Sequence, residues 1–215
     1  MGADAGVWGP GARRHPALLG SSLRHPILGT DRLERRSNEP SACSTSGRYG
    51  PLAFGAVDEE SLRDALARLP AGVVLVSTRG GGGFRGLTVT SFTSVSLDPP
   101  LVLVCLDRLA ATRDALLEHG AFTASLLARG QQFVADRFSG QAPAADAAWR
   151  EVPHELGQNG LPIVAGAVAW VECRVHSQEA AGDHAIVVGA VTAVGRGGGE
   201  PLIHWERGYW GLSRP

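Results

Sequence analysis

Apolar and polar positions alternate along residues 86–107, GLTVTSFTSVSLDPPLVLVCLD, in the manner of a half-buried strand, and the rest of the chain is organised around this stretch. Six hydroxyls, those of Thr88, Thr90, Ser91, Thr93, Ser94 and Ser96, fall within nine residues otherwise built of Leu, Val and Phe. A buried hydroxyl without a partner costs on the order of a few kcal/mol. The hydroxyls must therefore face water, neighbouring backbone or a polar ligand lying against the sheet; a strand chosen for β-propensity alone is the other reading. Pro99 and Pro100 interrupt the pairing, and the continuous apolar run at 101–106 predicts a strand buried on both faces.

Asp58 is an N-cap type of residue, Glu59 and Glu60 place negative charge on a first turn, and Leu62, Ala65, Leu66 and Leu69 recur on one helical face. Pro70 and Gly72 end that helix. A strand follows at 73–77, and glycines 80–83 lead to a return strand opening at Phe84. Because those glycines lie between two strands, they read as a hairpin tip and not as a phosphate cradle. Thr112 is placed to cap a helix over 113–119 that Gly120 closes; its free N–H groups suit an anion, or the threonine is an ordinary cap.

Residues 121–127 predict a strand, 131–138 a short helix and 139–160 a loop. In the strand predicted at 167–175, Ala167, Ala169, Val171, Cys173 and Val175 share one face, while Trp170, Glu172 and Arg174 form a wet one. Gly182, Asp183 and His184 lead into a strand at 185–194, and a second glycine turn at 195–199 precedes 201–205. Short strands, glycine turns and small helices without βαβ alternation predict a mainly β fold, an antiparallel barrel. No GxGxxG joins a strand to a helix, which disfavours a Rossmann fold.

Length and composition narrow the picture. At 215 residues and 44% hydrophobic, the chain has the size of one domain with a tail. Residues 1–56, rich in Gly, Pro, Ser and Arg, read as a disordered or loosely attached extension, with 57–215 as the domain; a start codon set too far upstream is the alternative. All twenty basic residues are arginines scattered among 21 acids, which argues against nucleic acid as a partner. No apolar run approaches the roughly 18 residues that span a bilayer. Cys43, Cys105 and Cys173 are odd in number and widely spaced, as expected of reduced thiols in a cytoplasmic protein, and no spacing suggests a metal site.

The motifs TVTSFTSVSLDPPLVLVCLD, GDHAIVVGAV and RGYWGL, in this order, closely resemble the flavin reductase-like family, the NAD(P)H-dependent reductases that supply reduced flavin to two-component monooxygenases. The resemblance runs from about Leu62 to Leu212 and implies an FMN-binding split β-barrel of antiparallel Greek-key type. It also implies a homodimer with the flavin near the subunit interface, and hydride transfer from NADH or NADPH to FMN or FAD. Carried onto this chain, it assigns Gly86, Leu87, Thr88, Thr90 and Ser91 to the flavin ring and ribityl chain. Cys105, Leu106 and Asp107 become the neighbouring wall, and Ala111, Thr112, Arg137 and Phe138 the phosphate end.

His184 is the catalytic candidate, hydrogen-bonding nicotinamide or reduced flavin; a histidine satisfied at a strand start is the structural alternative. Asp183 would orient its imidazole. Arg207, Gly208 and Tyr209 fall on the nicotinamide side, with packing at the barrel mouth as the alternative, and His204 stands where relatives carry Tyr or His. Ala110 and Ala111 depart from the serines common in that turn. Two other activities stay open: a reductase with tightly held FMN serving another acceptor, and a non-catalytic flavin-binding protein.

Overall fold

The computed structural model describes residues 57–139 and 149–212; the expectation for residues 1–56, including Cys43, lies outside them. Helix α1, Glu59–Leu66, begins as its sequence predicts, with the Asp58 carboxylate accepting the Ser61 N–H at 2.9 Å. That bond holds the Asp58 carboxyl below its usual range. The apolar face of α1 is nevertheless uncovered: no residue of the helix is buried.

Seven antiparallel strands form the main sheet. In chain order they are β2 (Val74–Gly80), β3 (Gly83–Val89), β4 (Thr93–Leu97), β5 (Pro100–Asp107), β6 (Ala121–Leu126), β9 (Ala169–Ala181) and β10 (His184–Arg196). In space they run β3-β2-β6-β9-β10-β5-β4. The two edge strands, β3 and β4, are therefore consecutive in the chain. Residues 90–92 carry the chain from one edge to the other and β3 touches β5, which curls the sheet into a barrel. The predicted single return strand is thus two strands. A smaller sheet joins β1 (Ala71–Gly72), β11 (Leu202–Trp205) and β12 (Gly208–Gly211), and β7 (His154–Leu156), inside what reads as loop at 139–160, pairs with β8 (Pro162–Val164) just beyond it.

Strand β2 is buried on both sides. Val74 and Val76 join Val104, Leu106, Leu116, Phe122 and Val187 in one core, while Val73 and Leu75 join Leu127, Val134, Phe138, Trp149 and Leu202 in the other. The hairpin tip between β2 and β3 is Gly81-Gly82, both at positive φ, a conformation that glycine adopts without strain. Helices α2 (Ala111–His119) and α3 (Gln132–Arg137) are short, and α2 packs on β2.

Two burial expectations change. Strand β5 alternates instead of being covered on both faces: Val102, Val104 and Leu106 are buried, whereas Leu101, Leu103 and Cys105 are half-exposed, as in an antiparallel sheet with one packed side. Glu172, expected on a wet face, is 1% exposed. Residues 157–164 fold over it, and its carboxylate accepts the Gln158 N–H at 2.9 Å and the Asn159 N–H at 2.7 Å. The same strap is held by the Ser77 hydroxyl, donating to the Pro162 carbonyl at 2.6 Å, and by Ser125 Oγ, accepting the Val164 N–H at 3.1 Å. Burial, with the Glu172 charge alongside, pushes the Cys173 thiol up to about 12, so it remains protonated.

Candidate functional site

A cavity of about 570 Å³ lies against the crossover at 90–92. Of the roles open to the hydroxyls that stand out in the sequence, Thr88 and Ser91 take that of binding neighbouring backbone. The Thr88 hydroxyl donates to the Ala135 carbonyl at 2.8 Å, and the Thr88 N–H donates to the Phe138 carbonyl at 2.8 Å, tying β3 to α3. Ser91 Oγ donates to the Cys105 carbonyl at 2.9 Å and accepts the Cys105 N–H at 3.1 Å, pinning the crossover to β5. Only the exposed Thr90 hydroxyl, of these three, has no partner among the described residues. A ligand in the cavity therefore meets Thr90, the residual lone pairs of Thr88 and Ser91, and backbone. Thr93, Ser94 and Ser96 lie on β4 and do not line it.

At one end stands the start of α2. Its N-cap is Ala110, with the extended backbone of a cap (φ −71°, ψ 116°) and no side chain to accept a first-turn N–H. Thr112 is not the cap: it is buried, and its hydroxyl donates to the Gly86 carbonyl at 3.2 Å. Ala110 lines the cavity, so the uncapped turn and its share of the helix dipole are presented there.

His184 opens β10, directly across from Asp107 of β5, after the two-residue turn Gly182-Asp183, with Gly182 at φ 63°. Its Nδ1 lies 2.7 Å from the Asp183 carboxylate, and the Arg108 N–H fixes the same turn by donating to the Asp183 carbonyl at 3.0 Å. The His184 bond draws the Asp183 carboxyl below its ordinary range, so it stays ionised at neutral pH. With Nδ1 engaged, Nε2 is the ring atom left for a ligand. His204 and Tyr209 face each other across β11 and β12, edge to face at 5.9 Å, and both line the cavity. Burial and a 2.9 Å hydrogen bond donated to the Asp136 carboxylate push the Tyr209 phenol up to about 12 and keep it neutral.

Of the residues singled out in the sequence, Leu87, Thr88, Thr90, Ser91, Cys105, Asp107, His184 and Tyr209 meet in this cavity. Others support it from behind. Leu106 is fully buried, and Phe138 packs on Trp149 at 4.8 Å. A Cβ on Gly86 would stand 2.7 Å from the Phe138 ring, so glycine permits that close approach. Ala111 and Thr112 follow Ala110 in the same turn without lining the cavity, and Arg137 pairs with Glu151 at 2.8 Å. Arg207 and Gly208 lie outside, with Arg207 turned toward α1.

The cavity also recruits Val73, Val89, Leu109 and Ser139. Val73 and Val89 read as ordinary strand residues, but Leu109, 94% exposed between a strand end and a helix start, is the kind of stranded apolar side chain that signals a site. A second cavity, of about 510 Å³, is lined by His119, Asn159, Glu172 and Arg174 and contains none of the predicted residues.

Comparison with known proteins places the chain in a family. The model of the family described as flavin reductase like domain matches residues 66–213. The flavin reductase (NADH) of Kitasatospora aureofaciens is 42% identical over 163 residues, which cover 74% of this chain and 84% of that protein. The reductase component of 4-hydroxyphenylacetate 3-monooxygenase from Thermus thermophilus is 41% identical over 158 residues, 73% of this chain and 99% of its own length. Among solved structures, BorF, the flavin reductase component of a bacterial two-component tryptophan halogenase, superposes with a TM-score of 0.69 at 37% identity, covering 74% of this chain and 100% of that one. With a family match over most of its length and relatives of this similarity, the chain belongs to the flavin reductase like domain family.

Proposed function

We propose that this protein is an NAD(P)H-dependent flavin reductase that passes a hydride from nicotinamide to FMN or FAD and supplies reduced flavin to a separate monooxygenase. The observation that carries this reading is the junction, in one cavity, of a neutral hydroxyl- and backbone-lined wall, an uncapped helix start and His184. The residues fit a flavin. The volume falls within the roughly 300–1,000 Å³ of small-molecule sites, and the half-buried Leu87 and exposed Leu109 offer apolar surface to a planar ring. Thr90 and the backbone beside it would hold polar edges, and the first turn at Ala110 would hold a phosphate.

When bound, the flavin supplies the hydride-accepting chemistry. The chain's own contribution is binding and orientation: Asp183 fixes the His184 ring, His184 Nε2 offers a hydrogen bond to the donor, and neutral Tyr209 adds no charge to the same wall. A homodimer fits the half-exposed apolar face of Leu101, Leu103 and Cys105, which continues in register through Ala190, Val188 and Ile186 and reaches the cavity at Cys105. A cytoplasmic setting, where nicotinamide donors and reduced thiols coexist, accompanies the reading.

Steady-state oxidation of NADH and NADPH with added FMN, FAD or riboflavin tests it, with light scattering reporting two protomers. His184→Ala is expected to raise the KM for the donor about tenfold with a smaller change in kcat. Flavin binding without donor oxidation would instead identify a carrier, and tight flavin retention without release of the reduced form would point to another acceptor.

A further inference from the structure

The turn between β11 and β12 is made of residues that a tight hairpin turn disfavours. Trp205 pairs with Gly208, so Glu206 and Arg207 alone form the turn, at φ 48° and 62°. Among the described residues, no other non-glycine residue has positive φ. Asn-Gly fills such a turn without strain, whereas Glu and Arg are strained in it, and strain of this kind persists only where surrounding contacts hold it.

Besides Trp210 Nε1–H, which donates to the Trp205 carbonyl at 3.0 Å within the hairpin, those contacts reach the end of α1. The Arg207 guanidinium pairs with the Asp64 carboxylate at 2.5 Å, and the Glu206 carboxylate pairs with Arg68. The Glu206 N–H donates to the Ala67 carbonyl at 2.9 Å, and Trp205 Nε1–H donates to the Arg68 carbonyl at 3.1 Å. The last two satisfy carbonyls that a helix end leaves without partners. Since α1 has no buried residue, these polar contacts, and not apolar packing, seat it. The hairpin that they grip carries His204 and Tyr209, which line the cavity shared with His184.

We propose that Asp64, Arg68, Glu206 and Arg207 are positioning residues for the nicotinamide donor, a clamp between α1 and the strained turn that sets where His204 and Tyr209 stand in the cavity. The proposal rests on the reductase reading. None of the four residues touches the cavity, so the clamp acts through the hairpin.

The decisive variant is Glu206→Asn combined with Arg207→Gly, which removes both ion pairs while giving the turn its preferred residues. Its melting temperature is expected to hold or rise. NADH affinity of the flavin-free protein, read by quenching of Trp205 and Trp210 fluorescence, and the NADH KM should both weaken about fivefold, with a smaller change in kcat and unchanged FMN affinity. Asp64→Arg alone should raise the KM similarly, and adding Arg207→Asp should return it to within about twofold of the wild-type value. The clamp is contradicted if the Asn-Gly protein binds and uses NADH as the wild type does. It is also contradicted if NADH affinity, FMN affinity and melting temperature fall together, the mark of a merely structural turn. A wild-type protein that neither binds nor oxidises NADH overturns the reductase reading and the clamp alike, whereas an active wild type with indifferent variants overturns the clamp alone.

Discussion

Ala110→Asp is expected to weaken FMN binding about a hundredfold while leaving riboflavin binding within about twofold and the melting temperature unchanged or higher. Ala110 already has the extended backbone of an N-cap, so a carboxylate there can accept a first-turn N–H and strengthen α2 by about 1 kcal/mol. The same carboxylate would occupy the donors proposed for the phosphate and place like charge beside it. Two unit charges about 5 Å apart at an effective dielectric near 20 repel by about 3 kcal/mol, the size of the expected loss. Riboflavin has no phosphate and so serves as the internal control. Fluorescence titration with both flavins, beside a thermal melt, checks the prediction; equal weakening of FMN and riboflavin would show that the helix start contacts something other than the phosphate.

Glu172→Ala is expected to destabilise the domain by about 3–5 kcal/mol, the cost of losing the buried carboxylate that accepts the Gln158 and Asn159 N–H groups, two charge-assisted hydrogen bonds worth about 1.5–3 kcal/mol each. The packing around the carboxylate is close: a Cβ on Gly157 would stand 2.4 Å from Glu172 Oε1. Urea denaturation measures the loss as a lower midpoint with an unchanged slope. A shift worth less than about 1 kcal/mol would mean that water replaces the carboxylate and that the strap at 157–164 is open to solvent.

Local chemistry was the legible part of the sequence. Asp58 as a cap, Gly120 as a left-handed helix end, glycines 80–83 as a hairpin and 182–183 as a turn all depend on a few neighbouring residues, and each stands where its pattern places it. The errors share a different cause, namely dependence on segments distant in the chain. Glu172 reads as a solvated residue because nothing in its own strand shows that 157–164 will cover it. Leu101, Leu103 and Cys105 read as doubly buried because an apolar run looks the same whether its second face is covered by a helix or left half-exposed.

Thr112 attracts notice as a cap, yet the cap is the alanine two positions earlier and the threonine serves Gly86 instead. The hydroxyl-rich stretch does border a cavity, but Thr88 and Ser91 shape its backbone more than they present free groups. Arg207, grouped with Tyr209 by closeness in sequence, points away from the cavity because it sits in the turn before β12, where it pairs with Asp64 of α1.

The most direct measurement is a crystal structure of the protein grown with FMN. The flavin ring should lie against residues 88–91 and Cys105, with its phosphate at the amides of Ala111 and Thr112 and one ring face turned toward His184. FMN seated in the cavity beside His119, Glu172 and Arg174, or bound away from the crossover at 90–92, would contradict this assignment.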